Sequence, residues 1–328
     1  MQNLETKFFG LNLKNPIIAG SSGLTNSIKD IKELEKAGAS AVVLKSIFEE
    51  EIHHETEKNL NNMVVNGFVY PETMNFLEYD DMSDPVGDYL QFIRDLKKEV
   101  SIPIIASINC VTSQSWTYFA KYIQDAGADA LELNIFSLPS DSNRSSQEIE
   151  ELYFDVITEV KKQITIPLNI KISYFSANLR GLIEKLSKTG IAGITMFNRF
   201  YSPDIDIEKM EITSSNVLSN RDEITIPLRW IGIMHNRVDC DLAASTGIHD
   251  AEGVIKQILA GANAVQLAST LYKNGSQQIA KILSDLKAWM TEHDYKSIDS
   301  FKGNLSQAKQ VNPAAYERVQ FMKYFREY

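Results

Sequence analysis

Four segments of the chain share one pattern, and this repeat restricts the possible folds more than any other feature. Each segment runs from the end of a helix, through glycine and small residues, into an apolar strand: KAGASAVVLKS (36–46), DAGADALELNI (125–135), KTGIAGITMFN (188–198) and LAGANAVQLAS (259–269). Glycine suits the end of a helix because it adopts the left-handed conformation without steric cost. Internal similarity at the spacing of one strand and one helix indicates a repeated α/β architecture.

Further strand-like runs lie between these repeats: PIIAGS (16–21), IPIIASIN (102–109), IPLNIKIS (166–173) and VDCDLAAST (238–246). Segments with helical spacing of apolar residues alternate with the strands, and we predict that these helices begin after Ser27, Asp88, Ser113, Ser145 or Ser146, Ser176, Asp250 and Gly275. Strands and helices in such alternation predict a (β/α)8 TIM barrel, an α/β fold whose core typically has about 250 residues. A doubly wound open sheet is the alternative, but it seldom repeats so evenly.

Three segments lie outside this predicted core. The run LETKFFGLNLKNP (4–16) alternates like a small hairpin, and we expect it to close the N-terminal mouth of the barrel. Long loops are predicted after strand 2 (47–85) and after strand 6 (199–227), and long loops without secondary structure are often lids or binding loops. We predict a single domain over residues 1–328, with a core from about 8 to 290, and assign no role to the extension 297–328.

The composition argues against several classes of protein. The chain has 44% hydrophobic and 23% charged residues, as an ordinary soluble globular protein does, and its net charge of −10 disfavours nucleic-acid or membrane partners. The N-terminus lacks the features of a signal peptide, and no apolar run approaches the roughly 20 residues that span a bilayer. Cys110 and Cys240 are too few for a disulfide framework, a metal quartet or an iron–sulfur centre. We therefore expect a cytoplasmic protein with reduced thiols and no metal site, including at EIHHE (51–55).

The chemistry is expected at the C-terminal ends of the strands, because barrel enzymes keep their active sites there. The stretch AGADALELNIFSLPSD (126–141) ends in a polar loop with Asn134, Ser137 and Ser140. The other strand ends supply Ser21, Ser22, Gly23, Lys45, Ser46, Asn109, Lys171, Asn198, Ser245, Thr246, Gly247, Ser269 and Thr270. Lysines in or just past apolar strands are costly to bury without an anionic partner. Lys45 and Lys171 thus indicate an anionic or electron-rich ligand, unless each pairs with a carboxylate such as Glu132.

The last two strands end in ASTG (244–247) and LAST (267–270), and each is followed closely by a helix. Backbone N–H groups and hydroxyls after strands 7 and 8 commonly bind phosphate in this fold. The two motifs together predict a phosphorylated substrate or a cofactor with one phosphate, such as FMN. Neither a Rossmann fingerprint nor a Walker motif occurs in the chain.

These residues, in this order, resemble the dihydroorotate dehydrogenase family. The resemblance extends from about Phe8 to Met290 and is carried by NPIIAGSSGLT, LKS on strand 2, ELN on strand 4, KIS on strand 5 and QLASTLYKNG on strand 8. The flavin domain of dihydropyrimidine dehydrogenases is similar as well. The resemblance implies an FMN at the barrel mouth and a pyrimidine substrate stacked on it. A ring C–C bond would be oxidised or reduced by hydride transfer at flavin N5 and proton transfer to a side chain.

The same resemblance implies which residues would bind the cofactor. Lys45 would contact flavin and substrate, and Lys171 would face the pyrimidine edge of the isoalloxazine, where a cation stabilises the reduced, anionic flavin. The flavin ring would be lined by Ser22, Gly23, Ser46 and Asn109, with Asn134 nearby, and the phosphate would be held by Ser245, Thr246, Gly247, Ser269 and Thr270.

The substrate residues follow the family pattern in part. Asn134 and Asn198 would bind the amide edges of the substrate ring, as paired carboxamides can, and Asn66 matches a substrate residue of the loop after strand 2. Ser137 falls at the position of the family's base, which is Cys or Ser, but Leu138 separates it from the proline and no Asn follows that proline. A serine base also needs help to lose its proton, because its free pKa is far too high. These departures concern the substrate and not the FMN.

Four functions remain open at this point. The first is the oxidation of dihydroorotate to orotate, with Ser137 as base and with Lys45, Asn134 and Asn198 binding the substrate. The second is FMN chemistry on a different pyrimidine or on an unsaturated carbonyl. The third is a Schiff-base lyase that uses Lys45 or Lys171 on a phosphorylated sugar, and the fourth is a non-catalytic barrel that binds FMN or another ligand and serves as a subunit or sensor. The resemblance further implies a homodimer and a separate electron acceptor, which could be fumarate, a quinone or a partner subunit.

Overall fold

The computed structural model describes residues 2–49, 51–52, 84–110, 115–135, 138–200 and 202–317. Its strands are β1 (Thr6–Phe8), β2 (Leu11–Leu13), β3 (Ile17–Ala19), β4 (Ala41–Val43), β5 (Ile47–Phe48), β6 (Ile104–Cys110), β7 (Ala130–Ile135), β8 (Leu168–Ile172), β9 (Gly193–Met196), β10 (Pro203–Asp206), β11 (Glu211–Ser214), β12 (Asp241–Ser245) and β13 (Ala264–Leu267). Its helices are α1 (Ile28–Ala37), α2 (Pro85–Glu99), α3 (Phe119–Asp125), α4 (Ser146–Gln163), α5 (Leu179–Ser187), α6 (Thr225–Met234), α7 (Ala251–Ala260), α8 (Ser269–Asn274), α9 (Gln278–Glu292) and α10 (Ala314–Glu317).

Eight parallel strands form the closed barrel that the repeat predicts. The order around it is β3, β4, β6, β7, β8, β9, β12 and β13, and pairing between β13 and β3 closes the ring. The repeated glycines have the predicted role: Gly38 ends α1 at φ +112°, and its N–H donates to the carbonyls of Leu34 and Glu35. The (β/α)8 prediction is confirmed.

Three predicted helix starts are confirmed by their caps. The side chains of Ser27, Ser145 and Asp250 accept hydrogen bonds from backbone N–H groups in the first turns of α1, α4 and α7. Such caps satisfy donors that have no partner within the helix. Gly275 ends α8, and α9 begins at Gln278. The start predicted after Ser113 lies outside the described residues.

Two other helix starts were predicted at the wrong residue. Helix α2 begins at Pro85 instead of after Asp88, because Asp84 accepts from the Gly87 N–H and proline at the first position loses no hydrogen bond. Helix α5 begins after Asn178 instead of Ser176, because the Asn178 side chain accepts from the N–H of Gly181.

Within the described ranges, no helix combines the length and the apolar character needed to cross a membrane.

The N-terminal hairpin closes the N-terminal end of the barrel, as predicted. Strands β1 and β2 pair antiparallel, and the fully buried rings of Phe8 and Phe9 meet edge to face with centroids 4.6 Å apart. The Phe9 N–H donates to Asp241 Oδ2 at 2.8 Å, which fixes the hairpin to β12. The two rings belong to one cluster with side chains from the barrel strands: Ile18, Ala41, Val43, Ile105, Ala130, Ala243 and Ala264. Small residues on these strands leave room for the two rings.

The long loop after strand 6 is not structureless, contrary to the prediction. Strands β10 and β11 form an antiparallel hairpin in which Ile205 lies opposite Ile212. Residues 217–224, which we call the strap, then return to the barrel mouth before α6 begins. The loop after strand 2 starts with β5, which pairs with β6, and ends where α2 begins at Pro85. Most of the residues in between lie outside the described part of the chain.

The C-terminal extension packs against the barrel, although the sequence suggested no role for it. Ile298 and Phe301 are fully buried, and the Phe301 ring lies 5.2 Å from that of Trp289 on α9. The Asn3 N–H donates to the Lys296 carbonyl at 2.8 Å, so the N-terminal segment contacts the chain just before the C-terminal extension. The packed core therefore continues beyond residue 290 to Phe301.

Candidate active site

Between the rings of Phe8 and Phe9 and the mouth of the barrel, the interior becomes polar. Alternate residues of a barrel strand point inward, and Glu132 on β7 lies beside Asn169 on β8 in the sheet register. Glu132 Oε2 accepts from Asn169 Nδ2 at 2.8 Å, from Thr195 Oγ1 at 3.2 Å and from Gln266 Nε2. All four residues are buried. Three donors thus compensate for the burial of Oε2, whereas Oε1 is buried without a partner in the described part of the molecule.

Lys171 follows Asn169 by two residues on β8, closer to the mouth of the barrel, and is only 8% exposed. Its Nζ donates to Gln266 Oε1 at 3.0 Å, so the Gln266 amide connects the lysine to the buried carboxylate of Glu132. Burial lowers the pKa of Lys171, while the negative charge of Glu132 acts in the opposite direction. The alternative that Lys171 pairs with the carboxylate of Glu132 therefore holds only indirectly, because Gln266 lies between them.

The predicted pair of carboxamides is brought together. Asn109, Asn134 and Lys171 stand side by side on β6, β7 and β8. The Asn198 side-chain amide donates to Asn134 Oδ1, and the Asn198 backbone N–H donates to the Ile172 carbonyl at 2.9 Å. The amide pair thus lies at the barrel mouth next to the buried lysine.

A cavity of about 210 Å³, which we call the polar cavity, opens between these residues and the last two strands. Its lining includes Ser21, Lys171, Asn198, Arg199, Ser219, Ser245, Thr246, Gly247, Gln266 and Ser269. Six of these are predicted site residues from strands 5 to 8. Ser219 and Arg199 come from the insertion after β9 and were not predicted.

The strap forms one wall of the polar cavity. The Ser219 N–H donates to Ser269 Oγ at 3.0 Å, and the Gly247 N–H donates to Ser219 Oγ at 3.4 Å. Gly247 has φ +77°, and a Cβ atom there would lie 2.1 Å from the backbone nitrogen of Ile224. The glycine is therefore required by the close approach of the strap.

The Thr270 side chain does not line the polar cavity. It is fully buried, and its Oγ1 donates to the His249 carbonyl at 3.0 Å. His249 Nε2 lies 3.2 Å from Ser219 Oγ, and burial, with the charges of Lys273 and Arg221, lowers its pKa. Thr270 thus supports the loop after β12, and only its backbone could serve a phosphate.

Lys45 differs from Lys171 in its surroundings. The expectation that it is buried is wrong, because β4 ends at Val43 and the Lys45 side chain is exposed. It lines a separate cavity of about 290 Å³, the outer cavity, together with Asn26, Ser46, Ile47, Glu51, Pro85, Asp88, Tyr89 and Phe92. Ser46 Oγ lies 3.2 Å from Ser21 Oγ and 2.8 Å from Ser107 Oγ, so this serine connects the outer cavity to the polar cavity.

The remaining predicted residues are placed as follows. Ser22 precedes the short 3-10 helix Gly23–Thr25 at the end of β3, and its Oγ is buried without a partner in the described part of the molecule. Gly23 faces Tyr272, because a Cβ atom would lie 2.7 Å from the Tyr272 hydroxyl. Asn66 and Ser137 lie outside the described residues, so their roles stay predictions.

A third cavity, of about 300 Å³, adjoins the polar cavity and shares Phe197, Asn198, Arg199 and Thr246 with it. We call it the aromatic cavity, since its lining includes Tyr174, Phe175, Phe197 and Phe200. The rings of Phe175 and Phe200 meet at right angles with centroids 4.6 Å apart.

In the described ranges, no cluster of three or more His, Cys, Asp or Glu side chains could hold a metal ion.

Comparison with known proteins identifies the family. A family model described as dihydroorotate dehydrogenase matches residues 3–290. A Thermoplasma acidophilum protein named dihydroorotate dehydrogenase B (NAD(+)), catalytic subunit, is 26% identical over 92% of this chain and 99% of its own. Proteins of the same name from Methanocaldococcus jannaschii and Petrotoga mobilis are 25% and 24% identical, over 89% and 92% of this chain and 94% and 99% of their own. With a match of this extent over the same barrel, the chain belongs to the dihydroorotate dehydrogenase family, a family of oxidoreductases.

Proposed function

We propose that this chain is an FMN-dependent enzyme that oxidises dihydroorotate to orotate, with all of residues 1–328 forming one FMN-binding barrel domain. The observation that carries the proposal is the hydrogen-bonded pair of Asn134 and Asn198 beside the buried Lys171. Paired carboxamides offer both donors and acceptors to the amide edges of a dihydropyrimidine ring. The names of the relatives support the same substrate.

The residues present fit FMN. The polar cavity combines serine hydroxyls with an arginine, a donor set that suits a phosphate. The buried Ser22 Oγ is a polar atom without a partner within the described residues, so it is free for a ligand at the mouth. Ser46, Gly23 and Asn109 lie at the same end of the barrel, as residues that line a flavin ring would.

When bound, FMN supplies the hydride acceptor at N5. Lys171 would hold a positive charge at the electron-rich edge of the ring, and Gln266 and Glu132 hold the lysine in place. In a site removed from water, such a fixed charge interacts strongly with charge that develops nearby. Ser245, Thr246, Gly247, Ser269 and the backbone of Thr270 would hold the phosphate.

We assign the transfer of the substrate proton to the face of the substrate that points away from the flavin. Ser137 follows β7 and is the proposed base, while Lys45 and Asn66 would bind the substrate from the side of the outer cavity. The exposed position of Lys45 agrees with a role toward a ligand that enters and leaves. The proposed base comes three residues after Asn134 in the sequence.

We further propose a homodimer that passes its electrons to a separate acceptor. Relatives named as NAD(+)-dependent catalytic subunits support delivery through another subunit. This chain has no Rossmann fingerprint of its own, so NAD+ would bind on that partner. Fumarate and quinones are the acceptors to compare with it.

A second candidate is an FMN enzyme for a different pyrimidine or an enone. Two observations favour it: Leu138 interrupts the family pattern after Ser137, and the aromatic cavity adjoins the polar cavity. A substrate with a larger apolar substituent could extend into that cavity. Dihydroorotate, a small polar acid, would not use it.

The test is orotate formation by the FMN-loaded protein from dihydroorotate, with fumarate, a quinone or a dye as acceptor. Other dihydropyrimidines and enones are supplied in parallel. We expect dihydroorotate to be turned over faster than every other compound. A protein that binds FMN but turns over only another ring would select the second candidate.

A further inference from the structure

Arg199 directly follows Asn198 and lines the polar cavity. Its side chain is 19% exposed. The Nε donates to Glu223 Oε2 at 2.7 Å, and Nη1 donates to the Val217 carbonyl at 2.9 Å. A guanidinium carries five N–H donors in a rigid plane, and these two bonds use two of them. The strap thus fixes the guanidinium without using all of its donors.

Glu223 is held as firmly as the arginine that it binds. Its Oε1 accepts from the Asn220 N–H at 2.8 Å, while Oε2 accepts from Arg199, so both carboxylate oxygens are directed at donors of the strap and the arginine. Glu223 belongs to the 3-10 helix Arg221–Ile224, whose Ile224 packs against Gly247. The ion pair therefore holds Arg199 against the strap, and the backbone of Ile224 in the same strap closely approaches Gly247 of the loop after β12.

Among the described residues, the rest of this end of the polar cavity offers neutral donors. These are the hydroxyls of Ser219, Ser245 and Ser269, whereas the Gly247 N–H already donates to Ser219 Oγ. Burying a phosphate dianion among neutral groups is costly unless a cation is present. Lys171 already donates to Gln266, and neither Lys273 nor Arg221 is among the residues that line the cavity. Arg199 is in the position to supply the charge.

We propose that Arg199 binds the phosphate of FMN and that Glu223 positions it. This inference rests on the proposed function, since it takes FMN as the cofactor. The strap then serves as a part of the cofactor site that the insertion after β9 contributes. The guanidinium and the neutral donors would together surround the phosphate oxygens, while Lys171 serves the ring at the opposite end of the cavity.

The test compares FMN with riboflavin, which has the same ring and no phosphate. Dissociation constants of both are measured by quenching of flavin fluorescence on protein freed of flavin. We expect the wild type to prefer FMN and Arg199→Gln to weaken FMN about 10- to 100-fold, the range for a hydrogen bond to a charged group, with riboflavin unchanged. Arg180→Gln is the matched control, because Arg180 is 45% exposed and pairs with Glu184 on α5, and it does not line the cavity. It should leave both constants as they are.

Arg199→Gln leaves Oε2 of the Glu223 carboxylate without its cationic partner, and an unpaired charge destabilises a fold. The double variant Arg199→Gln/Glu223→Gln removes that unpaired charge and should show the same selective loss of FMN affinity. Equal weakening of FMN and riboflavin in both variants would overturn the proposal, as would intact FMN affinity with weaker dihydroorotate binding. A wild type that binds neither flavin would instead overturn the proposed function itself.

Discussion

The two ends of this barrel are built from the same strands but by opposite chemistry. At the N-terminal end, Phe8 and Phe9 fill the interior against alanines and other apolar residues. At the C-terminal end, the same strands bury Glu132, Asn169 and Lys171. Cys240 lies just before β12 at the closed end, and burial there, with the charges of Asp241 and Asp239, raises its pKa to about 12. A thiol of that kind is inert.

The barrel interior thus has an apolar layer at the closed end and a polar layer at the mouth, to which we assign the proposed chemistry. The apolar layer gains free energy from burial, whereas the polar layer spends free energy to hold charges in place. Within the polar layer, Lys171 is buried and bound to Gln266, but Lys45 is exposed in the outer cavity. Four substitutions test this division, and their expected effects decrease in the order given below.

The largest effect on stability is expected at the closed end. Phe8→Ala would leave a cavity under the barrel and should lower the free energy of unfolding by about 3–5 kcal/mol, the usual cost for a buried phenylalanine. Denaturant unfolding measures this loss. The absorption spectrum of bound flavin should stay unchanged, and a shifted spectrum would show that the two layers are not separate.

Lys171→Gln should act on the chemistry. Removing the buried cation takes away the charge next to the flavin ring, so we expect flavin reduction by dihydroorotate to slow by about 10- to 100-fold. Stopped-flow absorbance follows this step, and the flavin reduction potential should fall. An unchanged potential would contradict the placement of Lys171 at the ring.

Asn198→Ala should weaken substrate binding and leave the cofactor in place. The loss of one side-chain amide, which also removes the partner of Asn134, is expected to raise the KM for dihydroorotate by roughly 5- to 30-fold, or about 1–2 kcal/mol. Steady-state kinetics and flavin content are the measurements. Loss of FMN without a change in KM would assign Asn198 to the cofactor.

The smallest effect on stability is expected for Lys45→Gln. Its side chain is exposed, so the free energy of unfolding should change by no more than about 0.5 kcal/mol. The same substitution at Lys171 removes a charge from the buried network. Thermal unfolding of the two variants in parallel compares the lysines, and equal shifts would contradict their different burial.

The sequence predicted the barrel because its repeat is local and regular. It also contained a signal for the buried polar layer: counting back two residues from Asn134 and Lys171 leads to Glu132 and Asn169. Arg199 and Ser219 had no such signal. Ser219 meets Ser269 fifty residues along the chain, and such contacts depend on how the insertion after β9 folds. The hairpin in that insertion was missed because it carries many charges and its apolar residues are exposed, as Ile212 is at 77%.

The most direct test of the proposed function is the visible spectrum of the purified protein under anaerobic conditions, before and after dihydroorotate is added. A flavin spectrum that bleaches, with orotate formed in equal amount to the flavin, is the predicted result. A flavin spectrum that does not respond to dihydroorotate would contradict the assigned substrate. A protein that binds no flavin even when FMN is supplied would contradict the cofactor as well.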